Sequence, residues 1–512
     1  MFTASETPVI AIIVFVALVI LIWGFLRAKP FGKLGILAWL QSVVLMAPWL
    51  LFFGLFAAGI YINLAAILLM LVVSSGLYIY LGRQLRAAGQ DALLQEKAAK
   101  MSQNNQDSPH SPAETTPEAS GSDNGKAKSE FLGIKEPLPI PEEDLKAIQG
   151  IFGIDTFFVT ETIPYQEGAI FKGNLRGEAE SSHDRLSAAL KERVSDRYRL
   201  FMIENPEGKP TMVVLPSSND PKVSTITQKI LAVVLAIATI FTCLETAGFF
   251  LGFDLFNNWN RINEVLPIAA GILAVLFAHE IGHRVMAKRH NIRLSLPYFI
   301  PAWQLGSFGA VTRFESLLPN RKVMFDIAIA GPATGGIVSL LMLIIGLVLS
   351  HEGSFFQVPA EFFQGSILVG TLAKVVLGSA LQKPLVDVHP LTVIGWLGLV
   401  ITALNIMPAG QLDGGRIVHA IYGRKIASRA TLATFIFLAI AAFANPIAIY
   451  WAIIILFLQR DLERPSLNEI SEPDDARAAL GLLALFLMIT TLIPLTPGLA
   501  GRLGIGGANN IF

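Results

Sequence analysis

Long apolar runs separated by short polar segments dominate the chain. A helical run needs about 20 residues to cross the ~30 Å hydrocarbon core of a bilayer. Eight runs of this kind are predicted to be transmembrane helices: 9–26, 36–57, 61–81, 228–252, 266–287, 324–349, 390–408 and 476–497. A ninth run, 430–459, is too long for one crossing and is broken by Asn445-Pro446. We expect a hairpin of two short spans there, with one long bent span as the alternative.

A polar stretch between the third and fourth predicted helices has two parts. Residues 91–135 are predicted to be a disordered linker, because 97–130 are rich in Ser, Pro, Asn, Glu and Gly and contain no aromatic residue. Residues 136–223 contain EEDLKAIQGIF and HDRLSAALKERV, which have the periodicity of short amphipathic helices. In the same part RYRLFMIE and PTMVVLP flank NPEGK, a pattern typical of a β-hairpin. We therefore predict a small α/β domain over 136–223.

Clusters of Lys and Arg flank the predicted helices and define their orientation. If the spans alternate and 430–459 forms the hairpin, all of these clusters fall on one side of the membrane, which the positive-inside rule identifies as the cytoplasm. Arg321 and Arg416 belong to two of them and are interpreted as such topology signals. The N-terminus is then expected to face out and the α/β domain to be cytoplasmic. The aromatic, Gly- and Pro-rich segment 294–320 is predicted to be extended or re-entrant structure near the membrane.

These patterns predict a polytopic α-helical membrane protein of about eight to ten transmembrane helices with one small cytoplasmic α/β domain. The chain divides into five regions. They are an N-terminal three-helix membrane region (1–90), the linker (91–135), the α/β domain (136–223), a membrane region that holds the candidate chemistry (224–464) and a C-terminal transmembrane helix (465–512).

Composition supports a membrane protein and excludes some functions. The chain is 53% hydrophobic and only 15% charged, whereas a soluble domain has about 25% charged residues. Lys and Arg total 39, as do Asp and Glu, so net charge gives no support for a nucleic-acid partner, and none is predicted. The single cysteine, Cys243, excludes an intramolecular disulfide framework and a zinc site built from cysteines.

The N-terminal segment resembles neither kind of targeting peptide. It carries Glu6 but no Lys or Arg before Arg27, and no small-residue cleavage site follows its apolar run. A secretory signal has a basic start, and a transit peptide is rich in Arg. We therefore expect an uncleaved anchor helix in a bacterial chain.

The stretch HEIGH, residues 279–283, places ionisable side chains inside an apolar run. Residues four apart lie on one face of a helix, so His279 and His283 can bind one zinc ion through their imidazoles. Glu280 would lie beside the open side of the ion, where it can act as a general base. The H-E-x-x-H pattern is a known metalloprotease signature. The alternative is that these polar residues are only satisfied inside a helix bundle, but ionisable groups at membrane depth are costly and usually functional.

A catalytic zinc ion needs a third protein ligand, and Asp413 is the best candidate. It lies in NIMPAGQLDGGR, residues 405–416, directly after a predicted span that Asn405 and Pro408 break. Two glycines follow Asp413 and free the backbone beside its carboxylate. The alternative role for Asp413 is a helix N-cap in a cytoplasmic loop.

Several of these motifs together resemble the site-2 protease family of intramembrane zinc metalloproteases, peptidase family M50. The matching residues are HEIGH (279–283), GSFGAVTRFESLLPNRK (306–322), GPATG (331–335), and N-x-x-P (405–408) followed by LDG (412–414). GNLR (173–176) further resembles the cyanobacterial and plastid branch, the ethylene-dependent gravitropism-deficient and yellow-green type.

The resemblance implies a zinc metalloendopeptidase that cuts transmembrane protein substrates within a lipid bilayer. Zn²⁺ would be bound by His279, His283 and Asp413, and Glu280 would be the general base. The family also implies that Asn405 holds the substrate backbone or the oxyanion. We expect a multi-pass protein of a bacterial, cyanobacterial plasma or thylakoid membrane. Neither the physiological substrate nor the oligomeric state follows from the sequence.

Two other functions are compatible with parts of the pattern. Buried His and Asp residues can bind a permeating cation, as in a polytopic membrane metal-ion transporter. A proteolytically silent membrane scaffold could act through residues 136–223. The scaffold has no use for Glu280, whose presence therefore favours the protease.

Overall fold

The computed structural model describes two compact units of the chain, Met1–Gly125 with Phe437–Ala452, and Lys126–Ile436 with Ile453–Phe512. The described residues are 21, 23–57, 70, 73–74, 76–78, 80–82, 84–85, 140–165, 167–205, 207–303, 305–443, 447–459 and 461–506. The predicted spans 9–26 and 61–81 lie mostly outside these residues, and the predicted linker lies wholly outside them. The candidate site lies in the second unit.

The described helices and strands are as follows. The α-helices are α1 (Gly32–Ala57), α2 (Glu142–Gln149), α3 (Ala179–Val194), α4 (Ile226–Phe250), α5 (Ile262–Arg289), α6 (Arg321–Leu349), α7 (Ile367–Leu377), α8 (Pro390–Asn405), α9 (Asp413–Ala441), α10 (Ile447–Ile454), α11 (Asp475–Leu492) and α12 (Pro497–Leu503). The strands are β1 (Phe157–Tyr165), β2 (Gly168–Leu175), β3 (Tyr198–Glu204), β4 (Pro210–Pro216), β5 (Tyr298–Ala302), β6 (Gly306–Val311), β7 (Phe356–Pro359) and β8 (Leu385–Val388).

The polar segment before α4 folds into a four-stranded antiparallel sheet with two helices. The strand order is β1-β2-β4-β3, and α3 packs on the sheet through Leu186, Leu190 and Val194, which share one face of the helix. The two helices and the β3–β4 hairpin lie where the sequence predicts them. Strands β1 and β2 were not predicted, because β1 is an edge strand with polar positions and β2 is interrupted by glycine.

Four described helices are long and apolar enough to cross a membrane. They are α4, α5 with its preceding turn from Trp259, α6 and α11, and they correspond to the predicted spans 228–252, 266–287, 324–349 and 476–497. This coarse part of the predicted architecture, membrane helices with one small sheet region, is confirmed. The full topology of eight to ten spans stays a prediction.

The predicted span 390–408 is a shorter helix than expected. Helix α8 has 16 residues and ends at Asn405, which is too short to cross a bilayer by itself. Twelve of its residues are buried, because it packs against α5 and α6 in the interior of the bundle. The chain then turns through 406–412 and begins α9 at Asp413, so the early end of α8 brings this carboxylate into the bundle.

The region between α6 and α8 contains structure that the sequence did not predict. Strands β7 and β8 form an antiparallel pair, and α7 lies between them in the chain. The apolar run of α7 has only 11 residues, so a search for membrane-length runs passes over it. These elements pack with α6, α8 and α12 in one apolar cluster.

The predicted extended segment 294–320 is a short antiparallel pair, β5 and β6. It packs against α4, where the Thr242 hydroxyl donates to the carbonyl oxygen of Gly306. The prediction of extended structure is confirmed, and the pair lies beside α5, the helix of the HEIGH motif.

Helices α9 and α10 lie in the apolar run that was predicted to form a hairpin. Helix α9 ends at Ala441 and α10 begins at Ile447. The Asn445-Pro446 break falls at 444–446, outside the described residues. The hairpin therefore stays a prediction.

The segment 466–469 joins the α/β domain to the membrane region by backbone hydrogen bonds. Its Leu467 carbonyl accepts from the amide of Met202 on β3 at 2.7 Å, and the Glu469 amide donates to the Met202 carbonyl at 2.9 Å. On its other side the Leu467 amide donates to the carbonyl oxygen of Leu318 at 2.8 Å. The α/β domain is thus fixed to the segment that enters α6.

The carboxyl group of Glu469, in the same segment, has a lowered pKa. Burial opposes its ionisation, but hydrogen bonds from His419 and the Ser466 amide hold the pKa below the usual range.

Close packing between α6 and α8 gives a testable expectation. A Cβ on Gly395 would lie 2.3 Å from the backbone nitrogen of Leu343, so Gly395→Ala forces the two helices apart. We expect an apparent melting temperature well below that of the wild type in detergent, with a loss of stability of about 1–3 kcal/mol or more.

The matched control is Gly336→Ala on α6. A Cβ at this position would make an ordinary contact of 3.5 Å with Thr402, and alanine lowers the entropic cost of a helix by about 0.5–1 kcal/mol. We expect no loss of stability. Equal melting temperatures for the two variants would contradict the packing described here.

Candidate metal centre

Three side chains of metal-ligand type converge between α5 and the start of α9. The Nε2 atoms of His279 and His283 are 3.1 Å apart. Oδ2 of Asp413 lies 3.1 Å from the first and 3.4 Å from the second. All three residues are buried, with exposed fractions of 4–8%. The structure thus brings together the two imidazoles and the distant carboxylate that the sequence singled out.

The ring of His283 is oriented by α6. Its Nδ1 lies 2.8 Å from the carbonyl oxygen of Ile327, which can only accept a hydrogen bond, so Nδ1 carries the proton. In the neutral imidazole Nε2 then has a free lone pair, and that lone pair faces His279 and Asp413. A backbone carbonyl that fixes the tautomer in this way is a common feature of histidines that bind metals.

Small residues on α6 make room for both imidazoles. A Cβ on Gly331 would lie 2.2 Å from Nε2 of His283, and a Cβ on Gly335 would lie 3.0 Å from Cβ of His279. On α5, a Cβ at Gly282 would meet the Ala330 carbonyl at 2.4 Å. The GPATG motif therefore serves to let α6 approach the histidine face of α5.

Asp413 reaches the histidines because the loop before α9 folds back tightly. A Cβ on Gly414 would lie only 1.7 Å from the Ile406 carbonyl oxygen, and one on Gly415 would lie 2.3 Å from that of Gly410. Gly410 has a φ of +49°, and its amide donates to the Thr431 hydroxyl at 2.9 Å. The glycines of the LDGG sequence are thus required by the turn that positions the carboxylate.

Glu280 is buried next to the histidines, and its carboxylate is hydrogen-bonded to a residue at the end of strand β6. It is 5% exposed, and its Oε2 accepts a hydrogen bond from the Thr312 hydroxyl at 2.9 Å. Thr312 directly follows β6. A buried carboxylate with one fixed partner is restrained in orientation while its other oxygen stays available for a proton.

Asn405 lies at the end of α8 and contacts β6. Its amide nitrogen donates to the carbonyl oxygens of Ile401 at 2.9 Å and Phe308 at 3.3 Å. Gly309, with a φ of +101°, lies so close that a Cβ would be 2.5 Å from the same nitrogen. Both amide hydrogens are therefore used within the protein, and the oxygen of Asn405 remains as an acceptor.

Sequence reasoning missed three further polar residues around the site. Thr312 holds Glu280, and Arg416 and Glu463 form an ion pair with a distance of 2.9 Å. The sequence places Arg416 among the cytoplasmic topology charges, but its exposed fraction in the fold is 5%. Arg321, interpreted in the same way, is also buried and donates to backbone carbonyls of α9. The sequence signal that was available for Arg416 is its position one helical turn after Asp413.

The three ligand residues fit zinc. Two imidazole nitrogens and one carboxylate oxygen are a common ligand set of catalytic zinc sites, which leave the fourth position for water. A tetrahedral ion with bonds of about 2.0–2.1 Å separates its ligand atoms by about 3.3 Å, and the observed separations are 3.1–3.4 Å. The two buried imidazoles and the buried carboxylate thus surround one point, as the ligands of a bound cation do.

An H-E-x-x-H helix with a distant carboxylate ligand, inside a bundle of apolar helices, defines a membrane metallopeptidase. Models of known families agree. The model of peptidase family M50 matches residues 267–444, and that of the EGY3 middle domain matches 146–221. No solved structure matches the chain.

Curated relatives make the assignment more specific. The chain is 38% identical to "Probable zinc metalloprotease EGY2, chloroplastic" of Arabidopsis thaliana over 71% of this chain and 67% of the relative. It is 36% identical to "Probable zinc metalloprotease EGY1, chloroplastic" of the same plant, over 74% and 75%. "Probable zinc metallopeptidase EGY3, chloroplastic" is 31% identical over 73% and 70%. The chain belongs to peptidase family M50, in the EGY-type branch of the site-2 proteases, and is a zinc metalloprotease.

The expected bacterial membrane is wrong. The relatives from Arabidopsis thaliana and rice carry the description chloroplastic, which supports a plastid membrane and not a bacterial one. The expectation rested on the charges of the N-terminal segment and on GNLR, a motif of four residues. GNLR does not separate the cyanobacterial from the plastid branch, and the charges of the N-terminal segment do not identify the membrane that holds the catalytic region.

A substitution that fills the space beside His283 tests the packing of the metal centre. In Gly331→Ala the new methyl group would overlap the His283 ring, so the ring must turn away from His279 and Asp413. We expect zinc affinity, measured by competition with a chromogenic chelator, to fall at least tenfold. Gly336→Ala, five residues further along α6, is the matched control and should bind zinc as the wild type does. Unchanged affinity in Gly331→Ala would contradict the position assigned to His283.

Proposed function

We propose that this chain hydrolyses peptide bonds of transmembrane protein substrates within a plastid membrane. The convergence of His279, His283 and Asp413 supports this proposal most directly, because it occurs among helices long enough to span a bilayer. The relatives' names support the zinc peptidase chemistry. The metal-ion transporter has no comparable support, since a transport site does not need a buried base held beside its ligands.

In this proposal the three ligand residues hold the zinc ion. Zinc, when bound, lowers the pKa of a water molecule to about 7 and polarises a carbonyl group. His283 is held in the ligand tautomer by Ile327, and the LDGG turn holds Asp413. The protein therefore supplies a preformed site that needs little rearrangement.

Glu280 is the proposed general base. Its carboxylate accepts a proton from the attacking water and then donates it to the amine that leaves. Its hydrogen bond from Thr312 fixes one oxygen, so the other keeps a defined direction through both transfers. General acid–base catalysis by a positioned carboxylate contributes about 10²–10⁴-fold to a rate.

Water can reach the site from the end of α5. His283 lies six residues before Arg289, the last residue of the helix, or about 9 Å along its axis. Lys288 and Arg289 are exposed, as expected for residues that leave the hydrocarbon. A site at this depth is shielded from lipid by α6 and α8 and remains close to aqueous solvent.

The substrate is proposed to bind as an extended segment beside β6. An intact helix hides its carbonyl groups in internal hydrogen bonds, so a helical substrate must unwind before the cut. Strand β6 pairs with β5 alone among the described strands, so its other edge is the proposed place for strand addition, and it ends one residue before Thr312. The oxygen of Asn405 can accept an N–H from such a segment, and this is the substrate-backbone role we propose for it.

The expected outcome of Glu280→Gln is the main test of this function. The full-length wild type and variant are reconstituted with a transmembrane substrate, and cleavage products are identified by mass spectrometry. We expect the variant to lose about 10²–10⁴-fold in rate, with one zinc per chain retained in both proteins.

The matched control is Glu315→Gln. Glu315 is also buried, but its carboxylate accepts from the backbone and hydroxyl of Ser224 and has no hydrogen bond to the three ligands among the described residues. We expect its rate to stay within about threefold of the wild type. If Glu280→Gln cleaves as fast as the wild type, Glu280 is not the base and the proposal fails.

A further inference from the structure

Arg416 is a buried cation whose surroundings connect the proposed base to the third metal ligand. It lies one turn after Asp413 on α9 and has an exposed fraction of 5%. A charged group costs several kcal/mol to bury unless it is paired and fully hydrogen-bonded. The proposed mechanism so far gives this residue no role, so the cost of its burial calls for an explanation.

The guanidinium of Arg416 holds the backbone at the residue that holds Glu280. One of its terminal nitrogens donates to the carbonyl oxygen of Thr312 at 2.8 Å. The hydroxyl of Thr312 in turn donates to Oε2 of Glu280 at 2.9 Å. Arg416 therefore reaches the carboxylate of the base through a single residue, and both hydrogen bonds have ordinary lengths.

The carboxylate of Glu463 also holds Arg416 in place. Nε of Arg416 donates to Oε2 of Glu463 at 3.0 Å, and a terminal nitrogen lies 2.9 Å from the same oxygen. The guanidinium also lies over the ring of Phe314, 4.7 Å from its centroid. Glu463 is itself buried, so the ion pair is shielded from water and has one defined geometry.

Arg416 also lies beside Asp413, on the side away from the histidines. Its guanidinium is 4.0 Å from Oδ1 of Asp413, whereas Oδ2 faces the two imidazoles. The same cation thus lies between the carboxylate that would bind zinc and the strand segment that restrains the base. Its planar fork of donors suits this task, since it can contact several acceptors at once.

We propose that Arg416 is a positioning residue, which sets Glu280 relative to Asp413 by holding the Thr312 backbone against α9. The inference rests on the proposed function, in which Glu280 is the base. Arg416 touches neither substrate nor the reacting atoms in this account. Its effect passes through Thr312, and Glu463 keeps it in place.

The test compares full-length variants that keep the shape of the site. Arg416→Lys keeps the charge, but a single ammonium cannot contact both Thr312 and Glu463 with the geometry of the guanidinium. Thr312→Val removes only the hydroxyl that donates to Glu280. Both single variants, the double variant and Glu280→Gln are assayed for kcat and KM with a transmembrane substrate.

Arg424→Lys is the matched control. Arg424 is also on α9 and donates to the backbone carbonyl of Glu463 at 2.5 Å. Among the described residues it has no hydrogen bond to Glu280, Asp413 or Thr312. It should keep kcat and KM within about twofold of the wild type.

Two further measurements report on the metal centre without activity. Zinc affinity is measured by chelator competition, and the visible spectrum of the cobalt-substituted protein reports the ligand geometry. If Arg416 acts on Glu280, both stay unchanged in Arg416→Lys. A residue that merely supports the fold would change them together with the melting temperature.

We expect kcat to fall about tenfold in Arg416→Lys and in Thr312→Val, with KM within about twofold of the wild type. Because both residues act on Glu280 through one connection, the double variant should also lose about tenfold and not a hundredfold. This non-additivity is expected only if both residues act on Glu280 through the same contact, the Thr312 hydroxyl.

Three results would overturn the proposal. They are a wild-type kcat in Arg416→Lys, a hundredfold loss in the double variant, or a loss of kcat that follows a loss of zinc or an altered cobalt spectrum. A failure of the proposed function is distinct, because then Glu280→Gln itself would cleave at the wild-type rate. In that case no base remains for Arg416 to position, and both proposals fall.

Discussion

The structure depends on one long-range contact, between the carboxylate of Asp413 and two imidazoles 130 or more positions earlier in the chain. Bringing these three groups together out of water is costly unless a cation compensates them. Several of the unusual local features near the site follow from this requirement. The early end of α8, the tight LDGG turn and the carbonyl that orients His283 all serve to place ligand atoms about 3 Å apart.

Glycine makes this contact possible within a bundle of apolar helices. Helices that pack in lipid gain little from hydrophobic burial and depend on close backbone approach. At Gly331 and Gly335 the space that a side chain would fill is taken by the two imidazoles. At Gly414 it is taken by the carbonyl of Ile406. The same residues that let the helices pack thus create the volume of the metal centre.

The sequence predicts the elements of the site because they depend on local periodicity. His279 and His283 share a helix face by spacing alone, and the long apolar runs of α4, α5, α6 and α11 stand out from any polar background. The burial of a charged side chain cannot be predicted from a local sequence pattern. Arg416 looks like any arginine that follows a membrane span, and only the fold shows that Glu463 pairs with it. Helix α7 is missed for a different reason, because its apolar run of 11 residues is too short for a search for membrane-length helices.

X-ray absorption at the zinc edge tests whether His279, His283 and Asp413 bind one zinc ion. The measurement compares the purified wild type with Asp413→Cys. Zinc–sulfur bonds are about 2.3 Å long, and bonds to nitrogen or oxygen are about 2.0–2.2 Å. Cys243, the one native cysteine, is a residue of α4 and is buried in a separate apolar cluster. We expect no sulfur ligand in the wild type and one in the variant. Zinc bound at full occupancy with only nitrogen and oxygen ligands in Asp413→Cys would contradict it.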